Sequence, residues 1–327
     1  MEKNKKMSNN LIVKTNNLTK YYGKTRGIEN LNLEIYQGEI FGLLGPNGAG
    51  KTTTIRLLLD LIRRTSGEAE VFGLDTNLHS VAIRQRLAYL PGDLGLYQDR
   101  TGLQNLEYLL GQYKNHIPKR RIKDLADRLN LDLDKKVKEL SKGNKQKVGI
   151  ILVLAPEVEL LILDEPTSGL DPLITNDFYK MLHDQQIEIG STVLLSSHLL
   201  QEVEKVAHRV GVIREGSLVE VATIQQLKRM ALKKVKIEFA TIEELQKYST
   251  KIPRELTESV IFDETHISFT ISRDNLPKAL EILSQMPIVD LDIESPDLED
   301  IFIKYYQTSS VEKELVDKSK KEAMEVE

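Results

Sequence analysis

Gly45, Pro46, Asn47, Gly48, Ala49, Gly50, Lys51, Thr52 and Thr53 follow one another, and their types and spacing suit the binding of phosphate. Glycines let the backbone turn successive N–H groups inward around phosphate oxygens, assisted by the positive end of the helix that follows. In this P-loop spacing Lys51 is expected to meet the β- and γ-phosphates and Thr52 to offer its hydroxyl to Mg2+. A second landmark is the apolar run Leu160–Leu163, which ends in Asp164 and Glu165. Adjacent residues of a strand point opposite ways, so two carboxylates at its end can divide the work, one toward a metal ion and one toward water. The third is His198, which follows Val193–Leu195, Ser196 and Ser197 and so also falls at a strand end. The first two have a plainer reading alone, as a Gly-rich turn and a strand meeting a loop, and the other five histidines, which lack such placement, read as surface or packing residues. Occurring in order along one chain, the three landmarks reinforce one another.

Those residues need strands that end together and a helix behind the glycines. Ile40, Phe41, Leu43 and Leu44 form an apolar strand ahead of the phosphate loop, and the helix begins near Gly50. Leu11–Val13 and Leu31–Ile35 read as strands with Tyr21, Tyr22 and Gly23 in a turn between them. Tyr22 is open to two readings, a buried aromatic or a platform on which a base stacks. Leu87–Pro91 is a further strand, and from Tyr97 to about Pro156 the pattern is helical, with Leu103, Leu106, Leu109 and Leu110 at helix spacing. Lys119, Arg120, Arg121 and Lys123 in that segment read as a solvated face. Val210–Ile213 and Leu218–Val221 form a hairpin around Arg214, Glu215 and Gly216.

The chain has 327 residues, enough for two domains. Its net charge of −4, from 45 basic and 49 acidic residues, gives no global field for nucleic acid or an acidic membrane. Cysteine is absent, which excludes disulfides and thiolate metal sites. The start, MEKNKKMSNN, has no apolar stretch behind its charges, so no secretory signal is expected. Val148–Ala155, the longest apolar run, falls far short of the roughly 20 residues that span a bilayer. A membrane role would come through a partner.

Lys228, Arg229, Lys233 and Lys234 mark a change of composition at Gln225–Lys234. Beyond it the pattern reads strand, helix, strand, strand, helix, strand, the ferredoxin-like order, then a last helix at Leu298–Tyr306. Phe239 and Phe269 are read as core residues rather than as base-stacking aromatics of an RNA-binding sheet. Residues 308–327 read as a charged tail.

With these landmarks in order, residues 11 to about 225 resemble the ATP-binding subunits of ABC transporters. Leu140, Ser141, Lys142, Gly143 and Asn144, then Lys145, Gln146 and Lys147, are similar to that family's signature sequence; without the resemblance Ser141 would read as a helix cap. The resemblance implies an α/β fold of P-loop type with a helical subdomain at about 94–156. It assigns adenine stacking to Tyr22, the phosphate loop to Gly45–Thr53, Mg2+ to Thr52 and Asp164, the water-activating base to Glu165 and the γ-phosphate switch to His198. Ser168, Gly169, Leu170 and Asp171 resemble the loop that links two subunits. Because the family closes two such domains around two ATP molecules, with Ser141 and Gly143 facing the partner's phosphate loop, this chain is expected to pair with itself or a sibling.

The organisation expected is a tail at 1–10, the ATP-binding domain at 11–225, a linker at 226–234, an α+β domain at 235–307 and a tail at 308–327. The function expected is ATP hydrolysis, with ATP and Mg2+, driving a separate multi-span permease from the cytoplasmic face of the cell membrane, with no nucleic-acid partner. The C-terminal module, ending in Asp297, Leu298, Glu299, Asp300, Ile301 and Phe302, is similar to that of ABC-2-type exporter ATPases of the drug-resistance and sodium-extrusion groups. The alternatives are a soluble ABC-type ATPase acting on ribosomes or nucleic acid, and a regulatory subunit of a heterodimer. Two positions depart from the family pattern. Gly92 stands where Gln is usual, so water or Asp93 is expected to replace that side chain, and Lys142 and Asn144 stand where Gly and Gln are common.

Overall fold

In a computed structural model, residues 10–113, 116–230, 232–252 and 257–294 are described. The chain divides into two units, Met1–Ile224 and Gln225–Glu327, each with cores of its own. The first unit begins with β1 (Leu11–Tyr22), β2 (Thr25–Leu31), β3 (Glu34–Tyr36), β4 (Ile40–Leu44), α1 (Lys51–Leu58), β5 (Ser66–Val71), β6 (Leu74–Asp75), α2 (Ser80–Arg84) and β7 (Leu87–Leu90). The helices α3 (Gly102–Leu110), α4 (Lys119–Arg128) and α5 (Lys142–Leu154) follow. The chain then continues through β8 (Leu160–Asp164), α6 (Pro172–Glu188), β9 (Thr192–Ser197), α7 (Leu200–Val206), β10 (Arg209–Arg214) and β11 (Ser217–Thr223).

The strands that carry the chemistry lie side by side in a sheet of order β11-β10-β4-β9-β8-β7. All of its neighbours run parallel except β11, which returns antiparallel on β10. Every residue of β4, β8 and β9 is buried, as expected of parallel strands covered on both faces. Their side chains alternate between two cores. Ile40, Leu161, Leu163, Val193 and Leu195 pack with α3, α4, α5 and α6 residues on one side, while Phe41, Leu43, Leu160, Ile162 and Leu194 pack with α1 and the antiparallel strands on the other. Burial of each such side chain favours folding by about 1.5–3 kcal/mol, and a slip of one residue in register would exchange the two sets. Register is thereby fixed, and with it the positions of the strand ends.

Two local elements differ from the sequence expectation. β1 continues through Tyr21 and Tyr22, pairing them with Arg26 and Thr25, so the turn narrows to Gly23 and Lys24. The stretch expected as a linker holds a helix, α8 (Ile224–Met230), and the start of the next strand.

The second unit comprises β12 (Lys233–Phe239), α9 (Ile242–Ser249), β13 (Glu258–Asp263), β14 (His266–Ile271), α10 (Leu276–Leu283) and β15 (Ile288–Glu294). Its antiparallel sheet has the order β13-β14-β12-β15, the arrangement of a split βαβ unit. Phe239 and Phe269 are both 1% exposed within its core. Neither is available to stack on a base. The expected helix Leu298–Tyr306, the tail at 308–327 and residues 1–9 lie outside the described residues.

Candidate functional site

Strand register brings the predicted residues to one edge. Leu44, the last residue of β4, pairs with Ser197 of β9, and Asp164, the last of β8, pairs with Ser196. The phosphate loop, the two carboxylates and His198 therefore leave the sheet beside one another. Gly45 makes the first turn where no side chain fits, because a Cβ there would stand 2.3 Å from the carbonyl oxygen of Ile213. Gly48 and Gly50 adopt φ of 81° and 111°, conformations that other residues reach only at a cost. Space around Gly48 is open, with nothing within 4 Å of a Cβ built on it, so its backbone can approach a ligand closely.

Lys51 opens α1 and is buried at 5% exposure. Its Nζ donates to the carbonyl oxygens of Gly45 at 2.6 Å and Pro46 at 3.2 Å, which folds the ammonium back into the cradle, and it lies 3.2 Å from Glu165 Oε1. That carboxylate oxygen is buried and accepts no hydrogen bond, so the ion pair is a charge contact rather than an aligned bond. The other oxygen, Oε2, lies 2.7 Å from His198 Nδ1. Glu165 has φ 50°, a conformation that costs on the order of 1–3 kcal/mol in a residue that is not glycine. Its N–H is shared between the carbonyl oxygen and Oγ of Ser196, at 3.2 and 3.1 Å, which offsets that cost and turns the carboxylate toward Lys51.

Asp164, 2% exposed, accepts from Thr52 Oγ1 at 2.8 Å through Oδ2 and from Ser196 Oγ at 2.5 Å through Oδ1. A hydroxyl and a carboxylate held together are hard oxygen donors, the kind Mg2+ takes in small number while keeping waters. The pair fits that ion. Gly92, two residues beyond β7, leaves room beside it: a Cβ there would lie 3.5 Å from Asp164 O and 3.8 Å from Oδ2.

Tyr22, Arg26, Gly27, Pro46, Asn47, Gly48, Gly50, Lys51, Thr52, Thr53 and Glu165 together line a cavity of about 300 Å3. Tyr22 is 46% exposed, which removes the reading of it as a buried aromatic. Its ring packs against Gly27, where a Cβ would meet Cε2 at 2.9 Å. Ala49, within the loop, is buried.

Ser141 and Gly143 do not reach this cavity. Ser141 caps α5, accepting the Asn144 N–H at 3.3 Å. Gly143 backs onto the loop after β8, where a Cβ would stand 2.4 Å from Gly169 O. Lys142 Nζ donates to Ser168 Oγ at 3.1 Å, and Gln146 Nε2 to Pro166 O at 2.7 Å. Lys142, at one of the departures from the family pattern, thus fastens the start of α5 to the loop that resembles the family's inter-subunit link.

Sequence reading did not find Ser196 as the hydroxyl that fixes Asp164, nor Arg26 and Gly27 as cavity walls. The serine's one signal in sequence is its place two residues before His198 at the end of an apolar run; the other two belong to a hairpin whose approach to the phosphate loop depends on packing. Glu202 was also missed. It joins Thr167 and Ser197 through hydrogen bonds of 2.7 Å each, which brace the loops on either side of Glu165 and His198.

A phosphate loop after the first buried strand, with two carboxylates and a histidine on the neighbouring strand ends, defines a P-loop nucleoside-triphosphatase of the ATP-binding cassette type. The chain belongs to the family of ABC transporter ATP-binding proteins and is an ATPase of that class. The ABC transporter family profile matches residues 28–168. The bacitracin transport ATP-binding protein BcrA of Bacillus licheniformis is 40% identical over 223 residues, 67% of this chain and 72% of that protein. The uncharacterized ABC transporter ATP-binding protein YcbN of Bacillus subtilis (strain 168) is 35% identical over 310 residues, 92% of this chain and 98% of that one. Among solved structures, an ATP-binding subunit of an ABC transporter superposes with a TM-score of 0.62 at 28% identity, covering 67% of this chain and 92% of its own. The dimeric post-hydrolysis cassette MJ0796 bound to ADP and Pi superposes with a TM-score of 0.60 at 25% identity, covering 65% and 98%. Among the described residues no helix is long and apolar enough to cross a membrane.

Proposed function

We propose that this chain hydrolyses ATP between two cassette units, its own and that of a second copy or a sibling, and so powers a separate multi-span permease, an exporter, from the inner face of the cell membrane. The observation that carries the reading is the joined set at the strand ends, Lys51 with Glu165 and His198, and Thr52 with Asp164, in a cavity floored by open backbone at Gly48. Tyr22 stacks on the base. Backbone N–H groups of the loop and Lys51 hold the phosphates, where fixed positive charge meets the charge that develops on the transferring group. Thr52 and Asp164 hold Mg2+, which when bound neutralises charge on the β- and γ-phosphate oxygens. Glu165 Oε2 orients water and takes its proton, and His198 fixes that carboxylate and reaches the γ-phosphate.

Ser141 and Gly143 stand outside the cavity of their own chain, and this favours their use by a partner. ATP contacts both units only in the closed dimer, so hydrolysis removes what holds it closed. Relatives named for bacitracin and multidrug transport support export. A regulatory subunit with weak turnover is the second reading, favoured by the bare Gly92 position.

The test is a tagged Glu165→Gln chain drawn from detergent-solubilised native membranes in ATP. Hydrolysis is expected to fall roughly 10²–10⁴-fold with ATP binding kept, and a multi-span protein to copurify. Loss of ATP binding would make Glu165 structural. Recovery of ribosomes or nucleic acid without a membrane protein would overturn the transporter reading.

A further inference from the structure

Arg26 is a second cation at the nucleotide cavity, and neither the sequence motifs nor the strand-end set accounts for it. It stands on β2 one residue before Gly27 and lines the cavity with Tyr22 and the phosphate loop. Its guanidinium is 38% exposed and held by two long ion pairs, Nη1 to Glu29 Oε2 at 3.4 Å and Nη2 to Glu215 Oε2 at 3.5 Å. Both carboxylates are themselves substantially exposed, the setting in which ion pairs contribute least. A phosphate group offers a guanidinium paired, charge-assisted hydrogen bonds and competes well against such partners.

The hairpin that carries Arg26 is tied to the phosphate loop through its backbone. Glu29 N–H donates to Gly216 O at 2.8 Å, and Gly216 N–H to Ala49 O at 2.9 Å, so β2 and the β10–β11 turn are bonded in series to the phosphate loop. Gly27 lies against Tyr22 Cε2 and Thr53 Cγ2, at 2.9 and 3.2 Å from a Cβ built on it. This part of the cavity therefore belongs to Tyr22 and Thr53, whereas Glu165 and Thr52, the latter bonded to Asp164, line it elsewhere. Arg26 stands on the base side.

We infer that Arg26 is a nucleotide ligand, released from Glu29 and Glu215 to bind the α-phosphate. The inference rests on the nucleotide reading of this cavity. Lys51 serves the distal phosphates, and Arg26 would hold the α-phosphate, which ATP and ADP both carry. Glu215 acts as the anion that ligand displaces.

The test is fluorescence titration of the full chain with N-methylanthraniloyl ATP and ADP in EDTA, which prevents turnover. Arg26→Ala is expected to weaken both nucleotides by the same factor, roughly tenfold. Glu215→Gln is expected to tighten both, because a competing carboxylate is gone. If Arg26 only rivets the hairpin, Glu215→Gln weakens binding as the arginine variant does, and the inference fails. Loss confined to ATP would place the contact at the γ-phosphate and also overturn it. Unchanged binding by Arg26→Ala, beside normal binding by the parent, defeats this inference alone, whereas a parent that binds neither nucleotide defeats the reading beneath it.

Discussion

Replacing Ser196 with alanine removes a single oxygen from the sheet and tests how the Asp164 carboxylate is held. Ser196 is fully buried, and its Oγ donates to Asp164 Oδ1 at 2.5 Å while accepting the Glu165 N–H at 3.1 Å. The second contact is dispensable because that N–H also faces Ser196 O at 3.2 Å, which alanine keeps. The first is not replaced: Asp164 retains Thr52 on Oδ2, but Oδ1 is left without a donor at a residue only 2% exposed. A hydrogen bond to a charged group contributes about 1.5–3 kcal/mol, and in a unit of this size each kcal/mol moves the melting temperature by about 2–4 °C. The expected fall is thus about 3–12 °C, read by circular dichroism on the full chain. ATP hydrolysis is expected to fall roughly tenfold, about 1.4 kcal/mol in barrier, as Asp164 loosens against Thr52, while nucleotide binding without metal stays unchanged. A melting temperature within 1 °C of the parent would refute the argument, since it would mean that Asp164 Oδ1 never depended on this hydroxyl.

Gly92→Gln is expected to fold normally, because the contacts awaiting its Cβ at 3.5 Å and beyond are ordinary ones, and to change hydrolysis less than tenfold; a rise of tenfold or more would show the surroundings of Asp164 to be incomplete as they stand. Burial, and after it the neighbouring His183, hold His208 below the ordinary imidazole value of 6.5, and its Nδ1 accepts the Ile40 N–H at 2.9 Å. As pH falls through 6.5 the unfolded chain takes up this proton before the folded one, so stability is whole above that value and declines below it, by at most about 1.4 kcal/mol per pH unit. Urea unfolding at pH 7.5 and 5.5 should show a smaller loss in His208→Gln than in the parent. Equal losses would remove His208 as the source. Burial acts on Glu39 in the opposite sense, raising its carboxyl and favouring the folded state as pH falls, which is why the difference between the two proteins is the measurement that counts.

What sequence carried well was everything fixed by local chemistry. Buried parallel strands announce themselves as short apolar runs, and the residues that follow such runs fall at one edge whenever the strands are neighbours. The order β4-β9-β8 makes them so, and the phosphate loop, Asp164, Glu165 and His198 needed no further information to be found. Tyr22 was different. Alternation could not say whether its ring faced a core, and the answer depends on a glycine five residues later that lets the ring lie against Gly27 at the cavity wall.

The parts that stayed hidden share one physical cause: they are contacts between elements distant in sequence whose side chains carry no pattern of their own. Arg26 and Glu215 are remote in sequence, and nothing in either segment indicates that a turn after β10 bonds to the phosphate loop through Ala49. The same holds for Lys142 on Ser168, where the sequence displayed a departure from the family pattern and gave no hint of its partner. A substitution that reads as loss in one dimension becomes a link in three. At Lys142 the long side chain crosses to the loop that follows Glu165, so the start of α5 and that loop are joined within one unit. Ser168 N–H in turn donates to Glu165 O at 3.2 Å, so Lys142 is two hydrogen bonds from the backbone of Glu165, a link between α5 and the end of β8 that no one-dimensional pattern carries.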